Sequence, residues 1–247
     1  MRFLLPIIVC LITLPSFVVA PGFDDDQLLY ERVRNAKAQK DATVRSLFAA
    51  QGISLDKAHV YFRSFKLDGI FEVWATENHV DWKLIKQYDI CETSGGLGPK
   101  NQYGDMQVPE GFYYIDRFNP VSRFHLSLGI NYPNSVDRVR STASNKGGDI
   151  FIHGACATIG CIPLTDDKIK EVYWIAVKAK ANGQSKIPVH MYPCKFTKRN
   201  VWILEKEFGE DVVLMNFWKN ISEGYKIFFE EKRLPTVLAS GSSYNIN

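Results

Sequence analysis

Two short runs, Val60-Tyr61-Phe62 and Ile70-Phe71-Glu72-Val73-Trp74, constrain this chain more than any other feature. They are β-branched and aromatic, and Leu67-Asp68-Gly69 between them is a turn signal, so they predict a β-hairpin. Further strand candidates follow at Leu84 to Ile90, Phe112 to Ile115, Phe124 to Leu128, Asp149 to His153 and Val189 to Tyr192. Helical spacing is confined to the margins. Leu29, Val33, Ala36, Val44, Leu47 and Phe48 predict a helix over 26–51, closed by Gly52. Ile169, Val172, Tyr173, Ala176 and Val177 predict an amphipathic helix behind Thr165, a good N-cap. Residues 210–232 also read as helical. The fold class is therefore mainly β with peripheral helices.

The expected organisation is residues 1–20 as a signal peptide or N-terminal anchor, 21–52 as a helical segment, 53–232 as the main domain and 233–247 as a polar tail. Residues 3–20 carry no charge, and Arg2 is a minimal basic start. This reads as secretion, with membrane attachment only if the segment is retained, and it places the chain in an oxidising compartment such as the periplasm. The chain holds 30 Lys and Arg against 27 Asp and Glu, a net charge of +3. Such a weak balance excludes a nucleic-acid binder driven by bulk charge.

Outside Cys10 there are four cysteines, Cys91, Cys156, Cys161 and Cys194. They allow three full pairings, and spacing does not choose between a Cys91–Cys156 bridge and free thiols. The segment Ile152-His153-Gly154-Ala155-Cys156-Ala157-Thr158-Ile159-Gly160-Cys161 follows an apolar strand and precedes the clearest helix. A cysteine is nucleophilic as thiolate, and a nearby imidazole can take its proton. The glycine before Cys161 lets backbone amides approach a reacting carbonyl, so Gly160 and Cys161 are candidate oxyanion donors. His125, beside apolar positions, and Asp105, in the Gly-rich loop over residues 93–111, are candidate substrate contacts. That loop is long enough to serve as a cover over a cleft. A framework histidine and a solvated loop charge are the plain alternatives.

These motifs resemble the YkuD-type L,D-transpeptidase catalytic domain, and within it the YafK-like branch. The resemblance rests on Ser94-Gly95-Gly96-Leu97-Gly98-Pro99-Lys100, on Gly104 to Tyr113, on Asn131-Tyr132-Pro133-Asn134, and on His153-Gly154 with Thr158-Ile159-Gly160-Cys161. It implies a β-sandwich fold that works on peptidoglycan stem peptides. It makes Cys161 the nucleophile and His153 the base, with the Gly154 carbonyl orienting the imidazole. Thr158 occupies the family's Ser/Thr position as a loop support or substrate contact. No cofactor is implied. The short His153-to-Cys161 loop, and Ile162-Pro163 where many relatives carry an arginine, fit the YafK-like branch. That branch includes cross-linking enzymes and hydrolases that release a wall-attached lipoprotein from diaminopimelate. Hydrolysis is favoured, because a short loop leaves one wall of the cleft low.

Two other readings compete. A zinc module would draw on His153, Cys156 and Cys161, with Cys194 or His190 as a fourth ligand. An inactive wall-binding relative is the other, although both His153 and Cys161 are present.

Overall fold

The computed structural model describes residues 22–247; the segment read as a signal or anchor lies outside them. Two helices come first, α1 (Phe23–Gln27) and α2 (Glu31–Ala49). The single helix expected over 26–51 is broken at Leu28–Tyr30, where the Arg34 guanidinium binds the Leu28 and Leu29 carbonyls. The break turns the chain so that Phe23 meets Phe118 edge-on, and it leaves Leu29 exposed. Val33, Ala36, Val44 and Phe48 are fully buried. Gly52 follows the helix at φ +71°, a left-handed conformation that glycine adopts without strain.

The hairpin is β1 (His59–Phe65) and β2 (Ile70–Thr76), antiparallel with Phe65 opposite Ile70. β3 (Lys83–Asp89) extends it. β4 (Gly111–Asn119) and β5 (Ser127–Ile130) follow, then a short helix α3 (Ser135–Arg140). β6 (Phe151–His153) and β7 (Ile162–Pro163) flank the motif, and α4 (Asp166–Ala181) starts behind Thr165, whose hydroxyl accepts the Lys168 amide. β8 (Pro188–Tyr192) comes next, then α5 (Lys198–Phe208) and α6 (Val212–Glu231). The chain ends in β9 (Val237–Ser240) and β10 (Ser243–Ile246).

Eight strands join in the order β3-β2-β1-β8-β4-β5-β6-β7. The sheet divides at β4, whose first half pairs with β8 and whose second half pairs with β5. Both halves feed one core, in which Phe62, Val73, Leu128, Ile152, Val189 and Met191 pack with α2 and α4. Side chains alternate across a strand. Accordingly Phe65 and Tyr192 belong to a second cluster, with Trp218 and Tyr225 of α6. The fold is mostly β with helices at its edges.

Three local expectations change. The 233–247 segment is a hairpin whose Tyr244 is buried and accepts a hydrogen bond from Asn134 Nδ2 at 2.8 Å. Phe124 to Leu126 is a turn, and only Ser127 onward is strand. There the Arg32 guanidinium binds the Ser122 and His125 carbonyls, and His125 takes φ +68°. Third, α3 and α5 were not anticipated. Among the described residues, no helix is long and apolar enough to cross a membrane.

Candidate active site

β6 and β7 run parallel, with Ile152 opposite Ile162 and His153 opposite Pro163. One register step earlier, Cys161 lies alongside Phe151, on the diagonal from His153 and on the same face of the sheet. The Phe151 amide donates to Cys161 Sγ at 3.4 Å, and the thiol donates to the Asp149 carbonyl at 3.7 Å. Burial pushes the thiol pKa up, opposed by the Phe151 amide and by Lys100. Cys161 therefore rests as a thiol at neutral pH.

His153 is almost wholly buried and stacks on the half-exposed Phe124 ring at 4.7 Å. Its Nδ1 lies 2.5 Å from the Gly154 carbonyl oxygen. A carbonyl only accepts, so Nδ1 carries the proton and Nε2 keeps its lone pair. Burial lowers the imidazole pKa below its ordinary value, which keeps the ring neutral. No hydrogen bond joins His153 to Cys161 in this resting arrangement. Gly154 is crowded from three sides: a Cβ there would sit 2.6 Å from Asp166 Oδ1, 2.9 Å from the Phe124 carbonyl and 3.0 Å from the His125 Cβ.

Thr158 is central to the loop. Its Oγ1 accepts the Gly160 amide at 3.2 Å and the Cys161 amide at 2.8 Å, and it donates to the Cys161 carbonyl at 2.9 Å. The two amides expected at an oxyanion hole are thus turned onto Thr158. The hydroxyl offers lone pairs within the loop, and the short span from 158 to 161 favours a side-chain turn. Thr158 clamps the loop through these bonds.

The thiol borders a pocket of about 170 Å³ walled by Ser64, Lys66, Ile90, Leu97 and Val108. The 93–111 loop above it is pinned, contrary to a loosely hinged cover. Lys66 Nζ donates to the Gly98 and Val108 carbonyls at 2.7 and 3.0 Å. Glu110 is fully buried, accepting from the Gly98 amide and from Trp218 Nε1, and it lies 3.1 Å from Lys66 Nζ. Asp105 does not reach the thiol pocket. Its carboxylate holds Lys100 and accepts the Asn101, Gln102 and Gln107 amides, and these bonds keep its pKa low against the opposing effect of burial. His125 does not line that pocket either. It sits against Gly154 with Nε2 buried and unpartnered, and burial depresses its pKa.

Cys91 and Cys156 form a disulfide, which removes Cys156 from any zinc set. His190 is buried in the core, with Nδ1 2.6 Å from the Tyr61 hydroxyl, and Cys194 is buried in the α6 cluster. Among the described residues, no group of three or more ligating side chains is placed to hold a metal ion. Of the tryptophans, Trp82, Trp174 and Trp218 are buried, while Trp202 is exposed.

Sequence reasoning missed three contributors to the site. They are the Asp149 carbonyl that accepts the thiol's hydrogen bond, Phe124 against His153, and Asp166, whose Oδ1 accepts the Ala155 amide at 2.9 Å. Asp166 had a signal, since it follows the N-cap of α4. The Asp149 carbonyl had none, because its direction depends on φ +54°.

This edge-strand site falls in a known class of catalytic domain: residues 74–189 match the family model of YkuD, the L,D-transpeptidase catalytic domain. A protein of Escherichia coli (strain K12) described as "Putative L,D-transpeptidase YafK" is 32% identical over 190 residues, 76% of this chain and 74% of that protein. The chain belongs to the L,D-transpeptidase family. Among solved structures, the helical cell shape determining protein Pgp2 from Campylobacter jejuni is similar with a TM-score of 0.45 and 20% identity. That match covers 75% of this chain and 74% of the other. Bd1075 of Bdellovibrio bacteriovorus matches with a TM-score of 0.43 and 16% identity, over 76% of this chain and 90% of its own.

Proposed function

We propose that this chain is a cysteine acyl-transfer enzyme of the periplasm. Its substrate is the peptidoglycan stem peptide, attacked at the carbonyl of the diaminopimelate L-centre. The observation that carries the reading is a half-buried thiol, Cys161, set one residue before β7 and bordering a pocket, on the same sheet face as the neutral imidazole of His153 at the end of the parallel strand β6.

Nε2 of His153 takes the Cys161 proton as the thiol swings away from the Asp149 carbonyl. Sulfur bonds to the substrate carbonyl carbon, the amide C–N bond breaks, and the imidazolium gives its proton to the leaving amine. Water then adds to the thioester with His153 again as base. The C–S bond breaks, leaving a carboxylic acid and the restored thiol. Water is favoured as acceptor because the loop from His153 to Cys161 is short and leaves one wall of the cleft low. The leaving group is a D-amino acid or the lysine amine of a wall-attached lipoprotein. The Cys91–Cys156 bridge supports an oxidising compartment.

The test is mass spectrometry of sacculi and defined muropeptides after incubation with the protein and with Cys161→Ala. Shortened stems or released lipoprotein, absent with the variant, support the reading. New diaminopimelate–diaminopimelate cross-links in place of hydrolysis make the chain a transpeptidase. Equal turnover by Cys161→Ala removes the nucleophile.

A further inference from the structure

A cleft of about 680 Å³, larger than the thiol pocket, lies on the other side of Leu97, which lines both. Its walls are the 97–107 loop, the chain just after α3 and the start of α6. Arg140, the last residue of α3, supplies the one basic side chain lining it.

That arginine is unusual in its surroundings. Arg45, Arg63 and Arg117 each hold a carboxylate. Arg140 makes no hydrogen bond or ion pair with the described residues, and its Nη1 is buried without a partner. Its guanidinium carbon sits 3.8 Å from the Phe217 ring centroid, a cation–π contact that restrains the group. The nearby acid is spent elsewhere: Asp137 accepts from the Asn134 amide and from the Tyr113 hydroxyl. The two acids of the cleft are also engaged, Asp105 with Lys100 and Asp211 with the Leu214 amide.

An arginine seated over an aromatic ring, lining a cleft and without a hydrogen-bond partner among the described residues, can take a planar two-oxygen acceptor. The geometry points to a carboxylate-binding subsite anchored by Arg140, and this rests on the proposed function for its ligand class. A single guanidinium with no second cation suits a carboxylate better than a more highly charged phosphate. A stem peptide offers two, the C-terminal carboxylate of its last residue and the side-chain carboxylate of diaminopimelate. Arg140 is thus a specificity residue that selects free over amidated stems.

The test is calorimetric titration of the full chain carrying Cys161→Ser, so that bound peptide is not consumed. The probes are a synthetic stem tetrapeptide with both carboxylates free, one amidated at the C-terminus and one amidated at diaminopimelate. The expected result is a preference of about 10- to 100-fold for the free peptide over one amidated form, which identifies the carboxylate. Arg140→Gln abolishes this preference, and Arg140→Lys retains part of it. Thermal melts of both variants check that they fold. An unchanged preference in Arg140→Gln, or no binding of any probe, overturns the subsite. Failure of the functional reading looks different: the preference is present, yet the chain with Cys161 intact leaves every peptide uncut.

Discussion

Cys91 and Cys156, 65 positions apart in the chain, are joined by a disulfide with their Cα atoms 5.5 Å apart. The bond ties the His153-to-Cys161 loop to the segment leaving β3, which supplies Ile90 and Thr93 to the thiol pocket. The Cys91 amide also donates to the Pro163 carbonyl at 3.2 Å, so the tie is anchored on β7. Cross-linking a loop of this length removes denatured-state entropy, typically worth about 2–4 kcal/mol. Cys91→Ser and Cys156→Ser should each lose about that stability in urea unfolding, and each should lower turnover by loosening the loop. Cys161→Ala should melt like the parent. Equal midpoints for the parent and both serine variants would falsify the staple.

His153 gives a pH prediction with a definite sign. Burial lowers its pKa from 6.5, so the neutral base persists into mildly acidic solution. The acid limb of kcat/KM should fall below pH 6.5, not at it. His153→Gln should lower kcat by about 10²–10⁴ with little change in KM. The same shift acts on stability. A histidine that is harder to protonate when folded binds fewer protons than the unfolded chain below pH 6.5, so stability falls as pH drops through that region. His190, fully buried and pushed down to about 3, adds to the loss in the same direction. Asp137, pushed up to about 6 by burial, acts in the opposite direction over the same range, so urea midpoints at pH 7 and pH 5 are compared between the parent and His153→Gln, and an identical pH dependence in the two contradicts the His153 assignment.

The strands of the core were legible because their patterns are local. Val60-Tyr61-Phe62 and Ile70 to Trp74 are β-branched and aromatic on either side of a turn, and they pair as read. The α4 stripe from Ile169 to Val177 is buried throughout at the positions its spacing selects. What escaped was set by distant partners. His125 follows an alternating pattern in sequence, but Arg32, 93 positions earlier, holds its carbonyl and bends the chain out of the strand. Glu110 reads as a loop charge, yet Lys66, just after β1, and Trp218 of α6 reach it and bury it. The two missed helices did carry signals. Asn134 and Asp137 form a reciprocal capping box at α3, and Thr197 caps α5 by accepting the Asn200 amide.

Thr158 carries the last prediction. Its hydroxyl is the acceptor for two consecutive amides and the donor to the Cys161 carbonyl, so three bonds converge on one oxygen beside the Cys161 thiol. Gly160 within this turn stands at φ +131°, where a Cβ would come 3.0 Å from the Gln107 carbonyl. The hydroxyl thus fixes a backbone shape that only glycine allows, and that shape sets where Sγ points. Thr158→Val keeps the volume and removes the oxygen, leaving the buried Gly160 amide without a partner. A lost buried acceptor costs about 1–3 kcal/mol. Thr158→Val should therefore lower stability by about that amount and lower kcat more than KM changes, as the thiol loses its aim. Thr158→Ser restores the oxygen and should recover most of both. If valine instead leaves kcat intact or raises it, the hydroxyl does not position the nucleophile, and the amides work better released from it than held.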